Sequence, residues 1–168
     1  MRLRPYKSSD APAVMNWLSD ERTVALWKSR RFTYPLMEEQ FEQYQHEFEQ
    51  DAHACIFTAL DEGGSPVGHV SFREIDYIAN TAYMGFIVVD PAARGRGYGR
   101  QMVSLALHYA FDLLGVSEVT LGVYDCNTAA QKCYESVGFH KIDRAPQLVK
   151  FHEETWEYRY MTVEKQSV

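Results

Sequence analysis

The chain has 168 residues, with 17 Lys and Arg against 23 Asp and Glu and a formal net charge of −6. A single domain over residues 1–168 is expected at this length, long enough to bury about 70% of the unfolded surface, and the acidic balance excludes a general nucleic-acid surface, which needs a basic stripe. Cys55, Cys126 and Cys133 make an odd count with no Cys-x-x-Cys or His-Glu-x-x-His pairing, which points to reduced thiols, a cytoplasmic setting and no metal.

Arg2 to Tyr6 is expected to form an edge strand. This N-terminus is polar, unlike a signal peptide, and no apolar run approaches the ~18 residues of a membrane span. Ser9 or Asp10 caps a helix over Ala11 to Leu18. From Thr23 to Tyr34 the periodicity breaks down, and this segment, with Lys28, Arg30 and Arg31, reads as a loop or irregular helix. Met37 to Gln50 carries Phe41, Tyr44 and Phe48 at spacings of three and four, the pattern of an amphipathic helix. Cys55 to Asp61 and Val67 to Ile75 read as strands of a hairpin turning through Glu62-Gly63-Gly64-Ser65-Pro66. Asn80-Thr81 then turns the chain into the apolar strand Tyr83 to Val89, closed by Asp90-Pro91.

The segment Arg94-Gly95-Arg96-Gly97-Tyr98-Gly99 follows that strand and precedes a long amphipathic helix expected to begin at Arg100. A strand, a glycine-rich turn and a helix start form an anion cradle, because the first N–H groups of a helix lack internal acceptors. Glycines let the main chain approach a phosphate closely and accept positive φ, and Arg94, Arg96 and Arg100 add charge. The dinucleotide fingerprint Gly-x-Gly-x-x-Gly does not fit: here the glycines alternate, and Val119 and Leu121 stand where an acidic residue is needed. A phosphate-binding lysine loop is excluded too, since no Gly-Lys-Ser/Thr follows. In the helix itself Gln101, Ser104, His108 and Asp112 form a polar stripe, and Gly115 closes it.

Glu118 to Tyr124 is β-branched and alternating, a further strand. Asn127 is then a natural N-cap and Gly138 a natural stop for the helix between them. Asn127 and Tyr134 lie seven residues apart, two turns, and so share a helix face about 10 Å apart along the axis. His69, His108 and His152 stand alone, and Trp17, Trp27 and Trp156 are expected to pack against the sheet.

Arg94-x-x-Gly97-x-Gly99 behind an apolar strand, then Asn127-x-x-Ala130-x-x-x-Tyr134 ending in Gly138-Phe139, resembles the GNAT superfamily of acetyl-CoA-dependent N-acetyltransferases. Arg2-Leu3-Arg4-Pro5 with Ser9-Asp10 resembles the family's first strand and helix, and Trp156 to Met161 its last strand, so the resemblance spans nearly the whole chain. It is strongest to the branch of ribosomal-protein N-terminal and spermidine acetyltransferases, with Glu74-Ile75-Asp76-Tyr77-Ile78 similar to the polyamine enzymes. The fold implied is α+β, a central mixed, mostly antiparallel sheet flanked by helices on both faces. The resemblance also implies acetyl-CoA as cosubstrate without a metal, a small-molecule amine or a peptide N-terminus as acceptor, and no nucleic-acid or membrane partner; it is compatible with a homodimer.

Residue by residue, the resemblance implies that Ile87, Val88 and Val89 offer main-chain groups to a pantetheine arm, with one N–H facing the developing oxyanion. Arg94, Gly95, Arg96, Gly97, Tyr98, Gly99, Arg100 and Lys132 would bind the CoA phosphates, Asn127 the pantetheine. Tyr134 is the expected general acid toward the departing thiolate. Glu74 is expected to orient the amine or take its proton, from a place opposite the middle of the following strand; Asp76, Tyr83 and Glu21 are alternatives. Polyamine acetyltransferases place carboxylates where this chain has Lys28, Arg30 and Arg31, which points toward an acidic acceptor. A non-catalytic CoA-binding module is the competing class. Tyr134 together with Asn127 favours an enzyme, since a binder needs the cradle and no acid at the thiol.

Overall fold

The computed structural model describes residues 1–27 and 31–165. The expectations for Lys28 and Arg30 lie outside them. In chain order the elements are β1 (Arg2–Pro5), α1 (Ala11–Trp17), α2 (Glu21–Trp27), α3 (Glu38–Gln50), β2 (Cys55–Leu60), β3 (Pro66–Asp76) and β4 (Thr81–Val89). There follow α4 (Tyr98–His108), β5 (Glu118–Tyr124), α5 (Thr128–Glu135), β6 (His140–Lys141), β7 (Gln147–Phe151) and β8 (Glu154–Glu164). The segment read as a loop or irregular helix thus begins as the helix α2, and α4 begins at Tyr98, two residues before the expected Arg100. Strands β6 and β7 had no sequence signal, the first being two residues long and the second mostly exposed.

The strands form one mixed sheet in the order β1-β2-β3-β4-β5-β8-β6, with β7 also paired to β8. Every pairing is antiparallel except β4 with β5. Each face carries its own core. On one side Met102, Val103 and Ala106 of α4 and Tyr134 of α5 pack with Phe72, Met84 and Leu121. On the other, Val14 and Trp17 of α1, Val24 and Trp27 of α2 and Phe41, Tyr44 and Phe48 of α3 pack with Phe86 and Val88. Helices therefore cover both faces, as the amphipathic stripes of α3 and α4 require.

Strand β4 changes face along its length. Side chains two apart share a face of a regular strand, yet Ala82 and Met84 enter the first core and Phe86 and Val88 the second. The cause is a bulge. The β3 register slips between His69↔Val88 and Ser71↔Gly85, and Phe86 adopts φ 49°. One extra residue in β4 inverts the alternation and interrupts the ladder. Moreover, β4 and β5 pair only at Thr81↔Glu118, Ala82↔Val119 and Tyr83↔Thr120. Beyond Tyr83 they separate, and the main chain of Met84 to Val89 is left facing a cleft.

The first strand is locked to the first helix by Asp10, which is 3% exposed and accepts from both guanidinium nitrogens of Arg4 at 2.7 Å, from Thr58 Oγ1 at 2.6 Å and from Lys7 N–H at 3.0 Å. Burial alone would push this carboxyl up, but the hydrogen bonds from Arg4, Thr58 and Lys7 outweigh it and the net shift is downward. A lowered folded-state pKa contributes stability that is complete above the ordinary carboxylate value of ~3.9 and is lost as pH falls through the folded value. Asp10→Asn is expected to cost about 2 kcal/mol at pH 7 by urea unfolding. The variant should also lack this acid-labile component below about pH 4.

Candidate active site

The glycine-rich turn is built for close approach. Asp90 caps the short turn Pro91–Ala93 by accepting from Ala92 N–H at 2.9 Å. Gly95 and Gly97 then hold φ of 73° and 80°, and Gly97 is the N-cap of α4. A side chain at either position would be strained by the backbone. Gly99 serves a different purpose, since a Cβ there would lie 3.3 Å from Cys133 Sγ, so its absence lets α4 and α5 approach. Gln101 N–H donates to Gly97 O, which leaves the preceding N–H groups of α4 for a ligand.

Helix α5 begins as the Asn127 cap predicts: its side-chain oxygen accepts from Ala130 N–H at 3.2 Å. Gln131 Nε2 ties this helix back to β5 by donating to Tyr124 O at 3.2 Å and Asp125 O at 2.9 Å. The N-termini of α4 and α5 thus open onto one cleft of about 510 Å³. Ile87, Val88 and Val89 form its floor; Arg94, Gly95, Gly97, Tyr98, Gly99 and Arg100 form one wall, and Asn127, Lys132 and Tyr134 the opposite one. Arg96 is the exception in the turn: it does not line the cleft, and its guanidinium lies 5.5 Å over the Tyr98 ring.

A second cavity, of about 560 Å³, lies across the gap between β4 and β5. Met84, Gly85, Phe86 and Ile87 border it from β4, and Gly122 and Tyr124 from β5. Tyr134 lines both cavities. It is 7% exposed, its ring meets Phe139 edge-on at 6.0 Å, and its hydroxyl has no protein hydrogen-bond partner among the described residues. Burial pushes this phenol well up from its ordinary value, with Cys133 and Tyr83 adding to the effect. It is therefore protonated at neutral pH, and can donate toward whatever sits between the two cavities.

Glu74 is elsewhere. It lies in a second irregularity of the β3–β4 ladder, between Arg73↔Tyr83 and Asp76↔Thr81, with φ 52°. The expectation that it stands opposite the middle of β4 is thereby corrected: it is opposite the strand's first residues. Its side chain is 71% exposed, 3.8 Å from Arg73 Nη1, and lines neither cavity. The reason is the bulge, which turns this residue out of the regular alternation. Of its alternatives, Asp76 caps the turn by accepting from Ile78 and Ala79 N–H, and Glu21 pairs with His152 Nε2 at 3.0 Å. Tyr83 alone lines the second cavity.

Trp27 and Leu18 are among the cavity-lining residues that pattern reasoning missed. Trp27 borders both cavities, 8% exposed, with its Nε1 buried and without a hydrogen-bond partner among the described residues. Leu18 borders the first. Both read from the sequence as ordinary packing residues, and only an apolar side chain near a break in periodicity hinted otherwise. Among the described residues no group of three His, Cys, Asp or Glu could hold a metal ion, and no helix is long and apolar enough to cross a membrane.

Comparison with known proteins shows the family and the fold. Residues 12–139 match the model of the acetyltransferase (GNAT) family. The chain is 29% identical over 163 residues to the probable N-acetyltransferase YjcK of Bacillus subtilis, covering 92% of this chain and 88% of that protein. It is 26% identical over 140 residues to the spermidine N(1)-acetyltransferase of Vibrio cholerae, covering 83% and 78% respectively. The crystal structure of the V. cholerae spermidine N-acetyltransferase with CoA and spermine superposes with a TM-score of 0.84 at 21% identity, over 97% of this chain and 94% of that one.

Proposed function

The chain belongs to the GNAT family of acetyltransferases and transfers the acetyl group of acetyl-CoA to an amine; on that premise we propose which residues carry the reaction. The supporting observation is that Tyr134 alone among the expected site residues other than Ile87 borders both cavities. The cleft of about 510 Å³ takes the cosubstrate. N–H groups at the α4 start, with Arg94, Arg100 and Lys132, receive the phosphates, where helix dipole and formal charge act together. The α5 start and the Asn127 side chain flank the pantetheine, whose amides pair with the main chain that the bulge frees in Ile87 to Val89.

Acetyl-CoA supplies an activated thioester carbonyl. A strand N–H of Ile87 to Val89 donates to its oxygen, holding the charge that develops there. Tyr134 donates to the departing sulfur. Burial that raises the phenol also raises a thiolate beside it, so the two basicities approach one another in the same apolar setting. Glu74 has no part in this proposal. The acceptor is a small amine or a peptide N-terminus entering from the second cavity. The unpaired thiols of Cys55, Cys126 and Cys133 support a reducing, cytoplasmic compartment.

Two measurements test this reading together. CoA at a hundredfold excess over Kd is expected to stabilise the fold by about 2.7 kcal/mol through mass action, read as a rise in Tm. Acetyl-CoA with a panel of primary amines should release free CoA only when an acceptor is present. A Tm that CoA leaves unmoved refutes the cleft assignment.

A further inference from the structure

The second cavity contains none of the chain's 23 carboxylates. Among the described residues its charged side chains are Arg73 from β3 and Lys150 from β7, and its other polar side chains include four phenols, Tyr83, Tyr124, Tyr134 and Tyr158. Arg73 lies 4.4 Å over the Tyr83 ring, and its Nε is buried with no hydrogen-bond partner among the described residues. The carboxylate of Glu74, its neighbour in sequence, stands 3.8 Å away, outside the cavity and beyond hydrogen-bonding distance. Lys150 is exposed and makes no ion pair among the described residues.

The phenols add donors. Tyr83 and Tyr158 share a hydrogen bond of 2.6 Å across the gap between β4 and β8. Tyr158 reaches Tyr83 because Gly122 lets it lie flat over β5; a Cβ on that glycine would fall 1.9 Å from the Tyr158 hydroxyl. In such a pair one hydroxyl spends its proton on the other, and the second keeps a proton to give away. A guanidinium, an ammonium and a spare phenol proton border a space that no described carboxylate lines, Glu74 pairing with Arg73 only from outside it. A buried donor without a partner calls for one, and this set calls for an anion.

We propose that the acceptor is a small primary amine that also carries an anionic group, a carboxylate or a phosphoryl group, held by Arg73 and Lys150 in the second cavity. This rests on the assignment of that cavity to the acceptor. A dicationic acceptor such as a diamine gains nothing from this cavity and is repelled at its far end.

The test compares amines of matched reach at fixed acetyl-CoA, by CoA release: 4-aminobutyrate, 3-aminopropylphosphonate, butylamine and 1,4-diaminobutane. At least one anionic amine is expected to exceed butylamine and the diamine tenfold or more in kcat/KM, and the two anionic arms distinguish carboxylate from phosphoryl recognition. Lys150→Glu and Arg73→Gln should each shrink that ratio, through the KM of the anionic amine. A diamine used best, an anionic preference that survives both substitutions, or no acetylation of either anionic amine overturns the proposal. Leu148→Trp, at the exposed rim of the cavity, tests the underlying assignment separately. It should raise every acceptor KM while leaving that of acetyl-CoA unchanged, and unaltered acceptor KM values would show that acceptors bind elsewhere.

Discussion

Tyr134→Phe is expected to lower kcat for acetyl transfer about 10²-fold, the usual worth of a positioned proton donor. The ring that fills the space beside Phe139 remains, so the substitution leaves no cavity. Because the hydroxyl has no protein partner among the described residues, its loss orphans no other group, and stability should change by less than about 1 kcal/mol. CoA affinity should hardly move. These three readouts separate catalysis from packing: a structural role would lower Tm and leave turnover intact. The rate must be measured where chemistry limits it, by single turnover with acetyl-CoA prebound. Undiminished single-turnover rate in the Phe variant would return Tyr134 to the core.

Gly97→Val should abolish the CoA-dependent rise in Tm. The space around this residue is open, the nearest atom to a Cβ being Gln101 Nε2 at 3.9 Å, so crowding is not the cause. The cause is the φ of 80°, which a β-branched residue tolerates at a cost of about 1–3 kcal/mol or escapes by rearranging the turn. Either way the N–H groups at the start of α4 no longer converge as a cradle. Gly97→Asn supplies the control, since asparagine accepts the left-handed conformation far better. It should keep most of the CoA response. A full response in the Val variant would remove the turn from the phosphate site, whereas loss in both would implicate the side chain and not the backbone.

The features legible in the sequence are those whose chemistry is local. Gly95 and Gly97 announce positive φ, Asn127 announces a cap, and the seven-residue spacing to Tyr134 sets two turns of helix; none of these depends on a distant partner. An apolar strand before the turn and an amphipathic helix after it sufficed to place the glycine-rich turn at a helix start, although the helix begins two residues earlier than expected because Tyr98 already follows the Gly97 cap. Arg96 shows the limit of the same reasoning. Charge in the turn does not fix direction: Arg94 and Arg100 line the cleft, whereas Arg96 lies over Tyr98.

Glu74 failed as an assignment for a reason of register. Counting back from the Asn80-Thr81 turn assumes an uninterrupted ladder, but β3 and β4 slip twice. Each slip changes which residues stand opposite, and period-two alternation carries no sign of it. The second cavity was invisible for a related reason. Arg73, Tyr83, Gly122, Lys150 and Tyr158 come from five strands, and Trp27 from a helix packed across the sheet.

The sequence by itself determined the glycine-rich turn before a helix and the Asn127 cap, because each is encoded in backbone preferences and spacings within a few turns, and its resemblance to the GNAT family implied the mixed fold. Only the tertiary structure decided where β4 bulges, where it parts from β5 and which side chains meet in the gap. Those outcomes follow from strand pairing between segments tens of residues apart, where the free energy of the whole packed sheet, and no single stretch of chain, selects the register.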